Sequence, residues 1–339
     1  MFHPPKFLRA ALFSLVLISS TSYAHNNVVV VPILGSDSSN SGSNLSNVIT
    51  VANEGGDFTK PADALESITD ASASNPYLIV IAPGNYSSSS ALVMKEHVNL
   101  QGSGVNATTL IRTQVAGSRD RSNSAVINVV ENSTVSDLKV VNLGGSTFSY
   151  GIYIDSQTTN TRVLCENINI EVSGGISSSV GIFDQGQSRL KNIDVTISGG
   201  VAGTRNIGIE GFNNGFSIYE HINVNLSGPA GTSSIGFRLG GFIGSTLNNV
   251  TVASFGVNGE FRGMEAFGPT AEQPSHITIL NSDIVGRSSV INANDAIVRI
   301  RNSRLFSFED DITSGGATFE CISSVASIGE ILNTDCSIP

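Results

Sequence analysis

The stretch from residue 151 to residue 228 contains the repeat that decides the fold. It reads GIYIDSQTTNTRVLCENINIEVSGG over 151–175, GIFDQGQSRLKNIDVTISGG over 181–200 and GIEGFNNGFSIYEHINVNLSG over 208–228. Each segment opens with Gly-Ile, continues to an Asn or His that leads an alternating apolar run, and ends in a small Ser-Gly turn. Self-similarity with a period in this range indicates a solenoid or a propeller.

The repeat extends toward the C-terminus beyond this stretch. Its opening pair recurs at Gly151-Ile152, Gly181-Ile182, Gly208-Ile209, Gly236-Phe237, Gly263-Met264 and Val290-Ile291, with spacings of 30, 27, 28, 27 and 27 residues. The Asn or His that leads the alternating apolar run recurs at Asn167, Asn192, His221, Asn249, Asn281 and Asn302. Short strands of period two without a helix, in a unit of this length, are typical of one coil of a parallel β-helix, whereas a propeller blade needs ~40 residues. We therefore predict an all-β solenoid over residues 50–339.

Two rows of residues acquire structural roles in this solenoid. The apolar residue after each opening position should point inward and form one buried stack, namely Ile152, Ile182, Ile209, Phe237, Met264 and Ile291. The Asn series should occupy sharp corners with positive φ, where its side chains can hydrogen-bond from coil to coil. His221 stands in this series, so we interpret it as a corner residue rather than a catalyst.

The ends of the solenoid need caps. A short helix over residues 59–73, with Thr59 as N-cap, is predicted to cover the first coil with Ala64, Leu65 and Ile68. Residues 315–339 are predicted to cap the other end. Before the solenoid, residues 25–49 comprise a short apolar strand at 28–34, whose partner the sequence does not identify, and a Ser/Asn/Gly-rich linker.

Residues 1–24 have the features of a cleavable secretory signal. Two cations precede a short apolar run, and Ser22-Tyr23-Ala24 places small residues at −3 and −1 of the cleavage point. No later stretch reaches the ~18 apolar residues of a membrane span. We therefore expect an exported protein, whether secreted, periplasmic or at the cell surface, with no membrane span.

The three cysteines fit an oxidising compartment. Cys321 and Cys336 lie 15 residues apart near the C-terminus and are predicted to form a disulfide. Cys165 follows Val163-Leu164 in an apolar run and is predicted to be a free, buried thiol.

Composition excludes several classes of protein. The chain has 339 residues, 40% of them hydrophobic and 14% charged, with a formal net charge of −10. This apolar content excludes a disordered chain, and the acidic balance argues against nucleic acid or an anionic membrane as a partner. No His or Cys residues have metal-ligand spacing and no Gly-rich loop precedes a helix, so we expect neither metal nor cofactor.

The N-terminal part of the solenoid resembles pectinesterases and the wider pectin-lyase-like superfamily. The resemblance rests on Gly56-Asp57-Phe58, the helix through Ala64-Leu65, the segments 79–86 (IVIAPGNY) and 98–104 (VNLQGSG), and Thr108-Thr109-Leu110-Ile111. It implies a single-stranded right-handed parallel β-helix. The later repeats are similar to those of secreted bacterial β-helix proteins without an assigned reaction.

The motifs that carry catalysis in this superfamily are missing. Neither the Gly-Thr-Val-Asp-Phe-Ile-Phe-Gly strand of pectinesterases nor the Trp-Ile-Asp-His motif of pectate lyases is present, and the chain has no Trp. The ordered motifs of polygalacturonases are also missing. The resemblance therefore implies the fold and assigns no catalytic residue.

One outward row carries the candidate site. Residues two positions beyond the opening glycines should point outward, which gives Tyr153, Phe183, Glu210, Arg238, Glu265 and Asn292. A parallel row of glycines is expected to form a shallow trough beside them. Aromatic faces stack on sugar rings and Arg pairs with carboxylates, so Tyr153, Phe183, Glu210, Arg238 and Glu265 are candidate polysaccharide-binding residues.

Glu210 and Glu265 leave three interpretations open. They lie two coils apart, ~9.6 Å at the ~4.8 Å rise per coil, which approaches the ~6.5–9.5 Å of an inverting glycosidase pair. They can equally form a salt-bridge ladder with Arg238, or contribute to a binding row. The function hypotheses are accordingly non-catalytic polysaccharide binding, a polysaccharide-active lyase, esterase or hydrolase, and a structural rod. Whether the chains form a homotrimer stays open.

Overall fold

The structure is a computed structural model that describes residues 47–112, 122–145, 147–155, 163–201, 203–213, 216–229, 231–241, 244–254, 259–307, 312–326 and 331–337. The signal segment, the 28–34 strand and most of the linker lie outside these residues. Within them the chain forms one α-helix, α1 (Pro61–Ser67), one 3₁₀ turn (Ser122–Ser124) and 24 β-strands.

The strands are β1 (Asn47–Val51), β2 (Tyr77–Ile81), β3 (Gly84–Ser88), β4 (Leu92–Val93), β5 (Val98–Gln101), β6 (Thr108–Arg112), β7 (Ala125–Val130), β8 (Thr134–Asn142), β9 (Phe148–Asp155), β10 (Val163–Ser173), β11 (Ser178–Asp184), β12 (Ser188–Ser198), β13 (Arg205–Asn213), β14 (Phe216–Leu226), β15 (Ser233–Gly241), β16 (Gly244–Ser254), β17 (Glu260–Phe267), β18 (Ser275–Leu280), β19 (Asp283–Val285), β20 (Ser289–Asn294), β21 (Ala296–Arg301), β22 (Arg304–Phe306), β23 (Ile312–Gly315) and β24 (Thr318–Ile322).

These strands form two parallel sheets around the larger of two apolar clusters in the described residues. The nine-stranded sheet runs β23-β20-β17-β15-β13-β11-β9-β7-β4, and the fifteen-stranded sheet follows the path β1-β2-β5-β8-β10-β12-β14-β16-β18-β21-β24. From β9 to β18, consecutive strands alternate between the sheets, so each coil gives one strand to each. The predicted all-β parallel solenoid is confirmed, with about eight turns.

The predicted inward stack is also confirmed. Strand pairing aligns Ile152, Ile182, Ile209, Phe237, Met264 and Ile291 from coil to coil, and all six are completely buried. At ~25 cal/mol per Å² of apolar surface removed from water, such continuous burial is the main force that holds the coils together.

The corner series behaves as predicted. Asn167, Asn192, His221, Asn249, Asn281 and Asn302 all have positive φ, between 50° and 56°. The Asn192 amide donates to Oδ1 of Asn167 at 3.0 Å, and the Asn167 amide donates to Oδ1 of Asp137 at 3.0 Å. His221 takes the same conformation in the row, which supports its interpretation as a corner residue.

The N-terminal helix is shorter than predicted. It covers Pro61–Ser67, and its N-cap is Lys60 rather than Thr59, without a side-chain cap. Proline occupies the first helical position, where its missing N–H costs nothing, and this fixes the cap at the residue before it. Ala64, Leu65 and Ile68 are buried in the core as predicted, so the helix covers the first coils.

The C-terminal end is closed by the predicted disulfide. Cys321, in the last strand of the fifteen-stranded sheet, is bonded to Cys336, with Cα atoms 5.1 Å apart. Closing a loop of this length stabilises the fold by roughly 3 kcal/mol in the chain-entropy model. Cys165 is a free thiol and completely buried, as predicted. No helix among the described residues is long and apolar enough to cross a membrane.

Candidate functional site

The outward row lies on the outer face of the nine-stranded sheet. Strand register places Tyr153, Phe183, Glu210, Arg238, Glu265 and Asn292 side by side on β9, β11, β13, β15, β17 and β20. Neighbouring members are therefore separated by one coil, ~4.8 Å. The structure brings together all of the candidate binding residues, although they differ in how far they reach solvent.

Arg238 is the centre of a cluster of charges. Its Nη1 donates to Oε1 of Glu210 at 2.7 Å and its Nε donates to Oε2 of Glu265 at 3.1 Å. Arg262 pairs with the second oxygen of Glu265 and with Glu260. Three carboxylates and two guanidinium groups form this network, so its formal charge is 2 − 3 = −1.

Two phenylalanines outside the predicted row flank the Arg238 guanidinium. The guanidinium carbon lies 5.3 Å from the ring centroid of Phe212 and 5.0 Å from that of Phe267, and both rings are half-buried. Cation–π contacts of this kind contribute about 0.5–1 kcal/mol at exposed sites. The signal for these rings was present in the sequence, because Phe212 and Phe267 follow Glu210 and Glu265 by two residues and so share their outward face.

The two aromatic residues of the predicted row are not equivalent. The rings of Tyr153 and Phe183 stack with centroids 5.3 Å apart and planes 5° apart, but Phe183 is completely buried while Tyr153 is half-buried. Tyr150 and Phe212 also contact the Phe183 ring. Phe183 therefore packs against the neighbouring Tyr153 ring, and direct ligand contact by Phe183, expected from the sequence, is not possible in this structure. We call Tyr153, Phe212, Arg238 and Phe267 the outer-face site.

The expected trough of glycines is wrong. A Cβ built on Gly208 would lie 2.3 Å from Cγ1 of Val224, and one on Gly236 would lie 2.4 Å from Cγ1 of Val252. Both valines belong to the core on the opposite sheet. The glycine positions therefore face inward, as the next residue does, so two successive residues point to the same side and strict alternation is interrupted there. Glycine is needed at these positions because the opposite sheet approaches too closely for a side chain.

The surroundings of Glu210 and Glu265 match a salt-bridge ladder. Both carboxylates accept hydrogen bonds from the single guanidinium of Arg238, which occupies the space between them. An inverting glycosidase keeps that space open for a water molecule. The Glu210 side chain is only 5% exposed, which leaves little room for a substrate beside it.

A second group of polar residues lies inside the solenoid around Asp184. Oδ2 of Asp184 accepts hydrogen bonds from the hydroxyls of Ser188 at 2.6 Å, Tyr219 at 2.9 Å and Ser217 at 3.0 Å, and Oδ1 accepts from the Gly186 N–H at 3.1 Å. Asp184 is completely buried, and this burial raises its pKa despite the four donors, which lower it. The thiol of Cys165, whose pKa is likewise raised by burial and by the Asp184 charge, is also enclosed. The group is sealed from solvent, so we assign it a structural role.

The buried Asp184 predicts a pH dependence of stability. Well below pH 4, the carboxyl is protonated in both the folded and the unfolded chain, so its ionisation does not lower the free energy of unfolding. As the pH rises, the unfolded chain loses this proton first, so stability falls until the pH passes the raised pKa of the folded state. Urea unfolding from pH 4 to pH 8 should show this loss in the wild type but not in Asp184→Asn. If the free energy of unfolding changed with pH in the same way in both proteins, Asp184 would not be a buried carboxyl with a raised pKa.

Among the described residues, no group of three or more His, Cys, Asp and Glu side chains is arranged to hold a metal ion.

No protein-family model matches the chain, and no curated protein matches it.

Several solved structures are similar to this chain at low identity. Pectin methylesterase from carrot is 12% identical, with 83% of this chain and 90% of that chain covered and a TM-score of 0.46. Pectin methylesterase PemA from Erwinia chrysanthemi is 12% identical over 87% and 92%, with a TM-score of 0.47. The mannuronan C-5 epimerase AlgE6 A-module from Azotobacter vinelandii is 12% identical over 78% and 73%, with a TM-score of 0.48. These structural neighbours are two pectin methylesterases and a mannuronan C-5 epimerase module.

Proposed function

We propose that this protein is exported and binds an extended extracellular or cell-surface polysaccharide on the outer-face site, without cleaving it. The observation that carries the proposal is the arrangement of Tyr153, Phe212 and Phe267 as half-buried rings along the outer face of the nine-stranded sheet. Half-buried aromatic rings offer large apolar surfaces at little entropic cost, and sugar rings stack on such surfaces.

The charges at the site favour a neutral polysaccharide. Nη1 and Nε of Arg238 already donate to Glu210 and Glu265, so two carboxylates of the protein compensate the charge of this guanidinium. The network is formally negative, and an acidic chain laid along it would meet like charges. Hydroxyl groups of a neutral sugar can instead accept or donate hydrogen bonds at the rim of the network.

The absence of cleavage is proposed from the same contacts. The Glu210 and Glu265 carboxylates are held by one guanidinium, and the three enzyme motifs of the superfamily are missing from the sequence. Export is proposed from the signal-like N-terminus together with the Cys321–Cys336 disulfide, since such bonds persist in oxidising compartments.

A panel of neutral and acidic polysaccharides tests the proposal. The expected result is retention of the protein on at least one neutral polysaccharide, weaker retention on acidic ones, and no release of sugars or methyl groups. Affinity electrophoresis measures retention, and reducing-end and methanol assays on the same samples measure turnover.

Turnover of any polymer would contradict the absence of catalysis, and loss of that turnover in Glu210→Gln or Glu265→Gln would identify the pair as catalytic. Neither retention nor turnover on the panel would overturn the binding proposal and favour a structural rod.

A further inference from the structure

A separate cavity of about 470 Å³ lies near the N-terminal end of the solenoid. It is formed by the N-terminal side of α1, by the segment from β3 to β4, and by the end of β6. Ligand pockets in proteins range over about 300–1,000 Å³, so the cavity is large enough for a small organic ligand. It does not include any member of the outer-face site.

The charged groups that line this cavity are both cations, although the chain as a whole is acidic. Among its described lining residues, Lys60 and Arg112 are the charged ones and none is an Asp or Glu, although the whole chain carries −10. The remaining polar lining consists of hydroxyls and amides, including Thr59, Asn85 and Ser87. Leu92 and Leu110 contribute an apolar wall.

Arg112 is a buried cation that no carboxylate of the described residues pairs with. On β6 it occupies an inward position after Thr108 and Leu110, and it is 4% exposed. Its guanidinium donates to the backbone carbonyls of Asn123 and Ala125, which are neutral, and it forms no ion pair among the described residues. Burial lowers its pKa, because the charged guanidinium loses hydration there.

Lys60 completes a pair of cations from two different elements. Its ammonium has no ion-pair partner within the described residues, and the side chain is exposed at the mouth of the cavity. A buried cation is costly unless it is paired, so an anion that enters the cavity would remove part of that cost. The hydroxyls and amides around it are suited to the hydroxyl groups of a sugar.

We propose that this cavity binds a small carboxylated sugar, with its carboxylate facing Arg112 and Lys60 and its hydroxyls facing the serine and asparagine side chains. The proposal is independent of the outer-face site. The same chemistry is offered by a free sugar acid and by the end of an acidic polysaccharide.

Calorimetric titration of the full chain with glucuronate, a glucuronate-terminated oligosaccharide, glucose and inorganic phosphate tests the proposal. We expect glucuronate to bind and to raise the melting temperature, while glucose and phosphate bind at least tenfold more weakly. Tighter binding of the oligosaccharide than of glucuronate identifies a polymer end as the source, and equal binding identifies a free sugar acid.

Two variants separate a binding role from a structural one. Lys60→Gln changes an exposed side chain and should weaken glucuronate binding about tenfold, as expected for a charge-assisted hydrogen bond. Lys191→Gln changes a lysine outside the cavity and should leave the affinity for glucuronate unchanged. Phe267→Ala, at the outer-face site, should leave that affinity unchanged too. Arg112→Gln should abolish binding if the variant folds.

Equal binding of glucose and glucuronate would overturn the proposal, as would equal binding of phosphate, which would indicate a general anion site. Wild-type affinity in Lys60→Gln, or no glucuronate binding at all, would overturn it too. None of these outcomes bears on the outer-face site, which is tested with polysaccharides.

Discussion

Gly208→Leu is expected to destabilise the protein by about 3 kcal/mol or more, because its side chain would enter the core rather than the solvent. The first added carbon would lie 2.3 Å from Cγ1 of Val224 and 2.5 Å from the carbonyl oxygen of Gly236, and the backbone atom cannot move aside cheaply. Overpacking a tight core costs roughly 1–3 kcal/mol and sometimes more. Urea unfolding followed by circular dichroism measures the loss, and failure of the variant to fold would be the extreme form of the same result.

Thr196→Leu is the matched control for this variant. Thr196 is exposed on β12, so the same larger side chain there should change stability by no more than about 0.5 kcal/mol. If Gly208→Leu were as stable as Thr196→Leu, the glycine would face outward and the original expectation of an external trough would be right.

Arg238→Met is the second substitution with a large expected effect. It keeps much of the side-chain volume but leaves Glu210, whose side chain is 5% exposed, without its cationic partner. It also removes the guanidinium from between the rings of Phe212 and Phe267. Breaking a buried ion pair by removing one partner costs about 3–5 kcal/mol, and we expect a loss near the lower end because Glu265 keeps its contact with Arg262.

An exposed ion pair elsewhere in the solenoid provides the comparison. Arg304 pairs with Asp283 with 61% of its side chain exposed, so Arg304→Met should cost no more than about 1 kcal/mol. A double variant with Glu210→Gln should recover part of the stability lost in Arg238→Met, since it removes the unpaired charge. Equal stabilities of Arg238→Met and Arg304→Met would contradict the importance of the buried network.

Most of the fold could be predicted because each coil repeats one pattern of inward residues and corners. The stack from Ile152 to Ile291 follows from strand periodicity, and the positive φ at Asn167 and His221 follows from the corner positions. The direction of the glycines could not be predicted in the same way. A strict alternation puts Gly208 outward, whereas in the structure both Gly208 and Ile209 face inward, an interruption that the alternating pattern does not encode.

The candidate site was predictable only in part for a similar reason. Register along the coils correctly aligned Glu210, Arg238 and Glu265, since equivalent positions stack along the axis. Burial on the outer face depends instead on rings from neighbouring coils that close over one another, as they do around Phe183. The cavity beside Arg112 escaped prediction altogether, because its residues come from α1, β3 and β6 and share no sequence motif.

The affinity of outer-face variants for a retained neutral polysaccharide tests the central claim most directly. Tyr153→Ala and Phe267→Ala each remove one half-buried ring from the outer-face site, whereas Phe216→Ala removes a ring that is 48% exposed on the fifteen-stranded sheet. If stacking on a ring contributes about 0.5–1.5 kcal/mol, each outer-face variant should bind roughly 2- to 13-fold more weakly, and Phe216→Ala should bind like the wild type. Wild-type affinity in both outer-face variants, or an equal loss in Phe216→Ala, would contradict binding at this face.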